Sequence, residues 1–251
     1  MKYLALLLVS LPLMAAPAAP AKKVIKAPAA EKLLQLSDRA RGSVQSGVSW
    51  DAELNSVEEG EKSNRKFTVK VLGKNALVEI TEPARNMGEK FLFNDLVMWF
   101  HKPSLRKPVS VSPRQRNSGQ AANGDIANTN YARDYNGKVV GLEKVDGEDA
   151  WVLQLTGKSK DVTYDKIKYW ISAKTGLGIK AEFQTLQGKP FKRATFSYKN
   201  VIAVKGKKQP FISEMVITDA DFPENKSTMT YKAPKEENLT DATFNVNNLS
   251  R

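Results

Sequence analysis

Residues 96–136, LVMWFHKPSLRKPVSVSPRQRNSGQAANGDIANTNYARDYN, decide how the chain is read. The stretch opens as an apolar, strand-like run from Leu96 to Phe100 and breaks at Pro103. A basic segment punctuated by proline follows, carrying Lys102, Arg106, Lys107, Arg114 and Arg116. It then becomes a small, polar tract of Gly, Ala, Asn and Thr. A connection this long and this poor in apolar residues is unusual inside a compact domain, where such loops are either functional or disordered. The chain on both sides reads as alternating strands, so the stretch is expected to be the hinge of the molecule.

Working outward, the residues before it follow a period of two. Val48, Trp50, Ala52 and Leu54 alternate with Ser49, Asp51, Glu53 and Asn55, and Phe67, Val69 and Val71 alternate with Lys66, Thr68 and Lys70. Gly73-Lys74-Asn75 is a tight-hairpin signal ahead of Ala76–Ile80, and Phe91 and Phe93 continue the pattern. Beyond the loop, Val139–Val145 turns at Asp146-Gly147 into Trp151, Leu153 and Leu155. Ile167, Tyr169 and Ile171 follow, then Ile179, Ala181 and Phe183, then Ala194, Phe196 and Tyr198, then Phe211–Ile217 and Ser227–Tyr231. Phe244, Val246 and Leu249 form a last apolar tail. Roughly ten or eleven short strands with hairpin-length turns predict an antiparallel sheet that curls into a barrel or sandwich. No helix-period segment long enough for an α/β crossover separates them. One helix is expected, from about Ala29 to Arg41, with Leu33, Leu34 and Leu36 as its apolar patch and Gly42 as its stop.

Residues 1–21 read as a secretory signal: Lys2, a short apolar core from Leu4 to Met14, and small residues at Ala16–Ala21. The core of about 11 residues is far short of the roughly 20 that a membrane span needs. Residues 22–44 then make a basic Ala/Pro linker and the helix, and 45–251 a single β domain, a size that can bury one sizeable core. With no cysteine in the chain, disulfides, thiolate metal sites and a cysteine nucleophile are excluded. The formal charge of +12 suits acidic partners such as anionic head groups, or serves only to keep an exported protein soluble. Export argues against nucleic acid.

Catalytic chemistry finds little support. His101 is the only histidine; a Ser-His-Asp triad or a histidine metal site would have to use it, and a rim or surface residue is the simpler reading. Asp125, Asn130 and Asp134 lack EF-hand spacing and its closing glutamate, so they are expected to cap short turns and fix the loop. Lys166, Lys168, Lys180 and Lys192 read as a solvated outer face. A large sheet with one apolar face must cover it. Periodicity alone leaves two solutions open, a closed sandwich or a half-open barrel lidded by the helix and the loop.

The central stretch resembles the middle of the LolA-like outer-membrane lipoprotein-sorting proteins, in the branch associated with lipid-exporting transporters. Trp99, Pro103, Ser104, Arg106, Lys107 and Ser112 match its strand end and loop. Gly124, Asp125, Ile126, Thr129, Asn130, Tyr131, Asp134 and Tyr135 match its "G-D-I-A-x-T-N-Y-x-x-D-Y" segment. His101 departs from the aromatic or Gln usual there. The resemblance runs more weakly from about residue 45 to the C-terminus. It implies a mainly β fold: a large curved antiparallel sheet forming an incomplete barrel, with the N-terminal helix and the long loop as lid. It also implies a periplasmic, monomeric, non-catalytic carrier of lipoprotein acyl chains or another lipid, without cofactor or metal, served by an inner-membrane exporter and an outer-membrane acceptor. The inward set expected to line the cavity is Trp50, Leu54, Phe67, Val69, Phe91, Phe93, Trp151, Leu153, Ile167, Tyr169, Phe183, Phe196 and Tyr198. Arg106, Lys107, Arg114 and Arg116 are candidates for a head group or an acidic partner. In the family a basic residue near the cavity controls cargo retention, and the resemblance does not say which residue that is here. The alternative is a non-catalytic envelope adaptor with a closed core and a docking surface.

Overall fold

In a computed structural model, which describes residues 27–94, 97–127 and 130–250, the period-two segments become one sheet. The expected signal at 1–21 lies outside the described residues, as does Thr129. Helix α1 (Ala30–Arg39) comes first, followed by β1 (Val48–Glu58), β2 (Glu61–Leu72), β3 (Asn75–Glu82), β4 (Lys90–Asn94), β5 (Val97–His101) and β6 (Val109–Val111). The polar loop holds β7 (Arg116–Ser118), β8 (Ala121–Ala122), α2 (Asn123–Ala127) and α3 (Tyr131–Asp134). The second half contains β9 (Tyr135–Val145), β10 (Glu148–Gly157), β11 (Lys166–Ser172), β12 (Gly178–Gln184), β13 (Pro190–Ser197), β14 (Asn200–Val204), β15 (Lys207–Phe211), β16 (Glu214–Asp219) and β17 (Lys226–Glu236).

Thirteen strands hydrogen-bond in the order β6-β5-β4-β3-β2-β1-β17-β16-β13-β12-β11-β10-β9. The last strand pairs with the first, so the two halves of the chain join at the middle of the sheet. The two ends, β6 and β9, do not pair with each other, and the curved sheet stays open rather than closing into a barrel. Register follows the hairpins. Leu72 faces Asn75 across the two-residue turn Gly73-Lys74, and Val145 faces Glu148 across Asp146-Gly147, both of whose residues have positive φ.

One face of this sheet is apolar because every second side chain points to it. Val48, Trp50, Ala52 and Leu54 of β1 meet Phe67, Val69 and Val71 of β2 and Met229 and Tyr231 of β17. With the inward residues of the other strands they form one cluster. The cover comes from α1 (Leu33, Leu34), α2 (Ile126), α3 (Tyr131) and the β14–β15 hairpin (Ile202, Phe211). On the opposite face the C-terminal tail packs Phe244 and Leu249 on Leu92 and Trp99. There too, Trp170 is roofed by the ammonium groups of Lys168 and Lys180, at 4.6 and 4.7 Å from its ring. Gly42 ends α1 as expected, at φ +98°, and a Cβ there would lie 2.8 Å from the Trp50 ring, so the helix end is set by that ring as much as by the turn.

Four local expectations change. Leu36 is exposed, because at 100° per residue it points away from the stripe that Leu33, Leu34 and Ser37 bury. Lys192 shares the parity of Ala194 and Phe196, so it points inward rather than onto the outer lysine face, and its Nζ donates to the Gln120 carbonyl at 2.5 Å. Phe211–Ile217 is not one strand. Ile212 and Ser213 bridge out of the hairpin into the sheet, with Ile212 N–H donating to the Ala40 carbonyl at 2.8 Å and Ser213 N–H to that of Ser197 at 2.8 Å. His101 is buried at the end of β5, its Nε2 3.1 Å from the Leu105 carbonyl oxygen.

Candidate functional site

All thirteen inward residues named from the sequence fall on the apolar face of the sheet. Eleven are buried within the large cluster, and Phe93 and Tyr198 pack partly buried against it. Tyr169 stands at the centre, edge-on to Tyr131 of the lid at 5.1 Å and to Phe196 of the sheet at 6.1 Å. Tyr164 stacks on Phe183 with 3.8 Å between ring centres. At the centre of the face these residues meet side chains of the lid. Of the basic candidates, Arg106, Lys107 and Arg114 are not drawn to that face. Arg106 and Lys107 are exposed on the β5–β6 connection. Arg114 ties the loop down, through an ion pair to Asp165 at 2.7 Å and a hydrogen bond to the Lys160 carbonyl. Arg116 lies in β7.

The lid is built from the motif residues. Asn130 caps α3, its Oδ1 accepting from Arg133 N–H at 3.0 Å, while its Nδ2 donates to Ser43 Oγ at 2.8 Å. Asp125 is buried; its Oδ2 accepts from Ala122 N–H at 2.8 Å and from the Tyr164 hydroxyl at 2.6 Å. Burial pushes its carboxyl above the usual carboxylate range, against the pull of Lys192. Arg133 forks onto Asp134. Gly124, Tyr131 and Tyr135 join these residues around a space of about 20 Å³, the volume of a single small molecule such as water.

Sequence reasoning passed over the charged groups of α1 and of the turn that follows it. Arg41 lies in the apolar interior, its guanidinium 5.0 Å from the Tyr131 ring centre, 4.5 Å from that of Phe196, and 3.5 Å from the Tyr169 hydroxyl. It therefore touches lid and sheet together. Ser37 bonds the same Tyr169 hydroxyl at 2.6 Å. Asp38 is 2% exposed; its Oδ2 accepts from Ala132 N–H of α3 at 2.8 Å, and its Oδ1 has no partner. Burial raises the Asp38 carboxyl from 3.8 to about 7, opposed by that amide and by Arg41. The signal was available, since Leu33, Leu34, Ser37 and Arg41 sit at helical spacing and place the two polar side chains on the buried stripe.

An incomplete antiparallel barrel closed by an N-terminal helix and short loop helices defines the class, a LolA-like fold. A LolA superfamily protein from Nitrosomonas europaea is 29% identical and superposes with a TM-score of 0.78 over 88% of this chain and 100% of its own. A putative outer membrane lipoprotein-sorting protein domain from Vibrio parahaemolyticus (20% identity, TM-score 0.74, 88% and 98% covered) shares the fold. So does a DUF1329 family protein from Desulfovibrio piger (20%, 0.71, 87% and 97%). A family model described as "-like: Uncharacterized protein" matches residues 73–251. The chain belongs to that family, and its fold is LolA-like. No curated protein matches it.

Proposed function

We propose that the protein is a periplasmic carrier that takes the acyl chains of a lipoprotein or another lipid between the inner face of the sheet and its lid, without catalysis. The observation that carries this reading is how the apolar face is covered. Helices α2 and α3 are only five and four residues long, and helices that short are marginal on their own. They hold their place through caps and through contact with the sheet. Re-exposing four lid side chains such as Leu33, Leu34, Ile126 and Tyr131 would cost on the order of 8 kcal/mol. Burying about a dozen methylenes, at ~0.8 kcal/mol each, offsets that amount. A filled resting interior and a loaded one are thus close in energy, as a carrier that must release its load requires.

Arg41 is the basic residue whose position fits control of retention. A cation beneath the lid is accommodated by ring faces and the Tyr169 hydroxyl in the closed form, and incoming chains would disturb those contacts. The test is native mass spectrometry of the protein purified under conditions that retain lipid. A discrete added mass of a phospholipid or acylated species, lost in Phe93→Asp, supports the carrier. A bare protein that also refuses added lipid would sink it, and would favour the envelope adaptor with a closed core.

A further inference from the structure

Beside the lid, a cleft of about 640 Å³ opens between α1, the segment that follows it, the start of α3 and the turn of the β14–β15 hairpin. Its lining is mainly polar, and its hydrogen-bonding groups are unevenly used. Arg39 and Lys205 are exposed at its mouth. Among the described residues neither side chain has a hydrogen bond or an ion pair. The Lys205 backbone is nevertheless fixed, because its N–H donates to both carboxylate oxygens of Glu236 at 3.2 and 3.0 Å. Arg133 also lines the cleft, but its fork is committed, to both carboxylate oxygens of Asp134 and to the Lys74 carbonyl. Deeper in, the amide nitrogen of Gln209 is buried without a partner, and so is Asp38 Oδ1.

An amide nitrogen can only donate, and so can guanidinium and ammonium groups. Two cations without partners, Arg39 and Lys205, and a waiting amide donor face the acids Glu31 and Asp38, of which Glu31 already accepts from Gln35 at 3.2 Å. We propose that this cleft is a binding site for a phosphate group, with Arg39 and Lys205 as its principal ligands and Gln209 as the inner donor. Arginine and lysine hold phosphate oxygens through charge-assisted hydrogen bonds, which are stronger than neutral ones.

Two sources would supply that chemistry, a soluble phosphate ester and a phospholipid head group. The position favours the second. Val44 and Val204 line the cleft and also pack against the large apolar cluster, so a phosphate bound here lies at the border of the apolar interior. The lipid form rests on the carrier reading; the phosphate site itself does not.

Isothermal titration calorimetry on the full protein separates these possibilities, using glycerol 3-phosphate, dihexanoyl-phosphatidylglycerol and dihexanoylglycerol as probes. Arg39→Ala/Lys205→Ala is expected to weaken dihexanoyl-phosphatidylglycerol at least tenfold and to leave dihexanoylglycerol unchanged, with Gln209→Glu behaving alike. Lys207→Ala/Lys208→Ala, which removes two exposed charges outside the lining, should change nothing; an equal loss there would reduce the effect to net charge and overturn the site. Glycerol 3-phosphate binding as tightly as the phospholipid, with the same loss in the double variant, assigns the site to soluble esters. Binding of dihexanoylglycerol by every variant while the phospholipid gains nothing from its phosphate overturns the site but leaves the carrier intact. Failure of all three probes overturns both.

Discussion

Asp38 shows how one carboxyl can couple the lid to pH. Its folded value of about 7 lies above the ordinary 3.8, so between about pH 4 and 7 the folded protein holds a proton that the unfolded chain has released. Stability from this group is therefore greatest in acid and falls as pH rises through that window, by at most about 4 kcal/mol. Asp38→Asn keeps an oxygen for the Ala132 N–H and carries no charge. It should raise the melting temperature at pH 8 and flatten the decline between pH 4 and 7, as read by thermal unfolding across that range. Arg41→Leu tests the neighbouring cation. Arg41 favours the ionised form of the buried Asp38 and Asp125 carboxyls, so its replacement leaves them without that cation, which destabilises the fold, and it removes a group that loaded chains must accommodate. The denaturant midpoint should fall, and lipid transfer to acceptor vesicles, measured where the variant remains folded, should slow several-fold; unchanged transfer would relieve Arg41 of any part in retention.

At the scale of elements, the lid is tied by few bonds and the helix end by one ring. Asn130→Ala removes the cap of α3 and the bond to Ser43, a loss of about 1 kcal/mol. Because α3 has four residues, most of that loss should appear as local opening. Hydrogen exchange in 130–134 should accelerate roughly fivefold while β1, β2 and β17 keep their protection. Gly42→Ala strikes the other side of the cover. Its positive φ and the contact with Trp50 predict a loss of about 1–3 kcal/mol in chemical unfolding. Tolerance of alanine would mean that the α1–β1 corner relaxes freely.

For the whole molecule, the open ends of the sheet matter. With β6 and β9 unpaired to each other, the sheet can widen without breaking a ladder, whereas a closed barrel could not. Loading with lipid should therefore speed exchange in 121–134 and raise the radius of gyration in X-ray scattering, leaving the central strands unchanged. A protein that loads with no change at either probe would place the lipid elsewhere.

The alternation of Val48–Leu54, Phe67–Val71 and Trp151–Leu155 is local chemistry, and on its own it determined an antiparallel β sheet, its inward face and the turns at Gly73 and Asp146, but not whether the sheet closes. The 104–136 stretch, by its polarity and its Gly-Asp-Ile-Ala…Asn-Tyr pattern, marked the lid and the family. Pairing is another matter. The inward turn of Lys192 was already present in its parity with Ala194 and Phe196, whereas that β17 lies beside β1 and that the chain at 200–211 leaves the sheet as a separate hairpin depend on partners far along the chain. The same holds for α1. Helical spacing put Ser37 and Arg41 on the buried stripe, but only the folded sheet supplies the rings of Tyr169 and Phe196 that make a cation there tolerable. A cleft built from α1, α3 and a hairpin tip exists only once three distant segments meet, since its ligands share no spacing that a sequence could display.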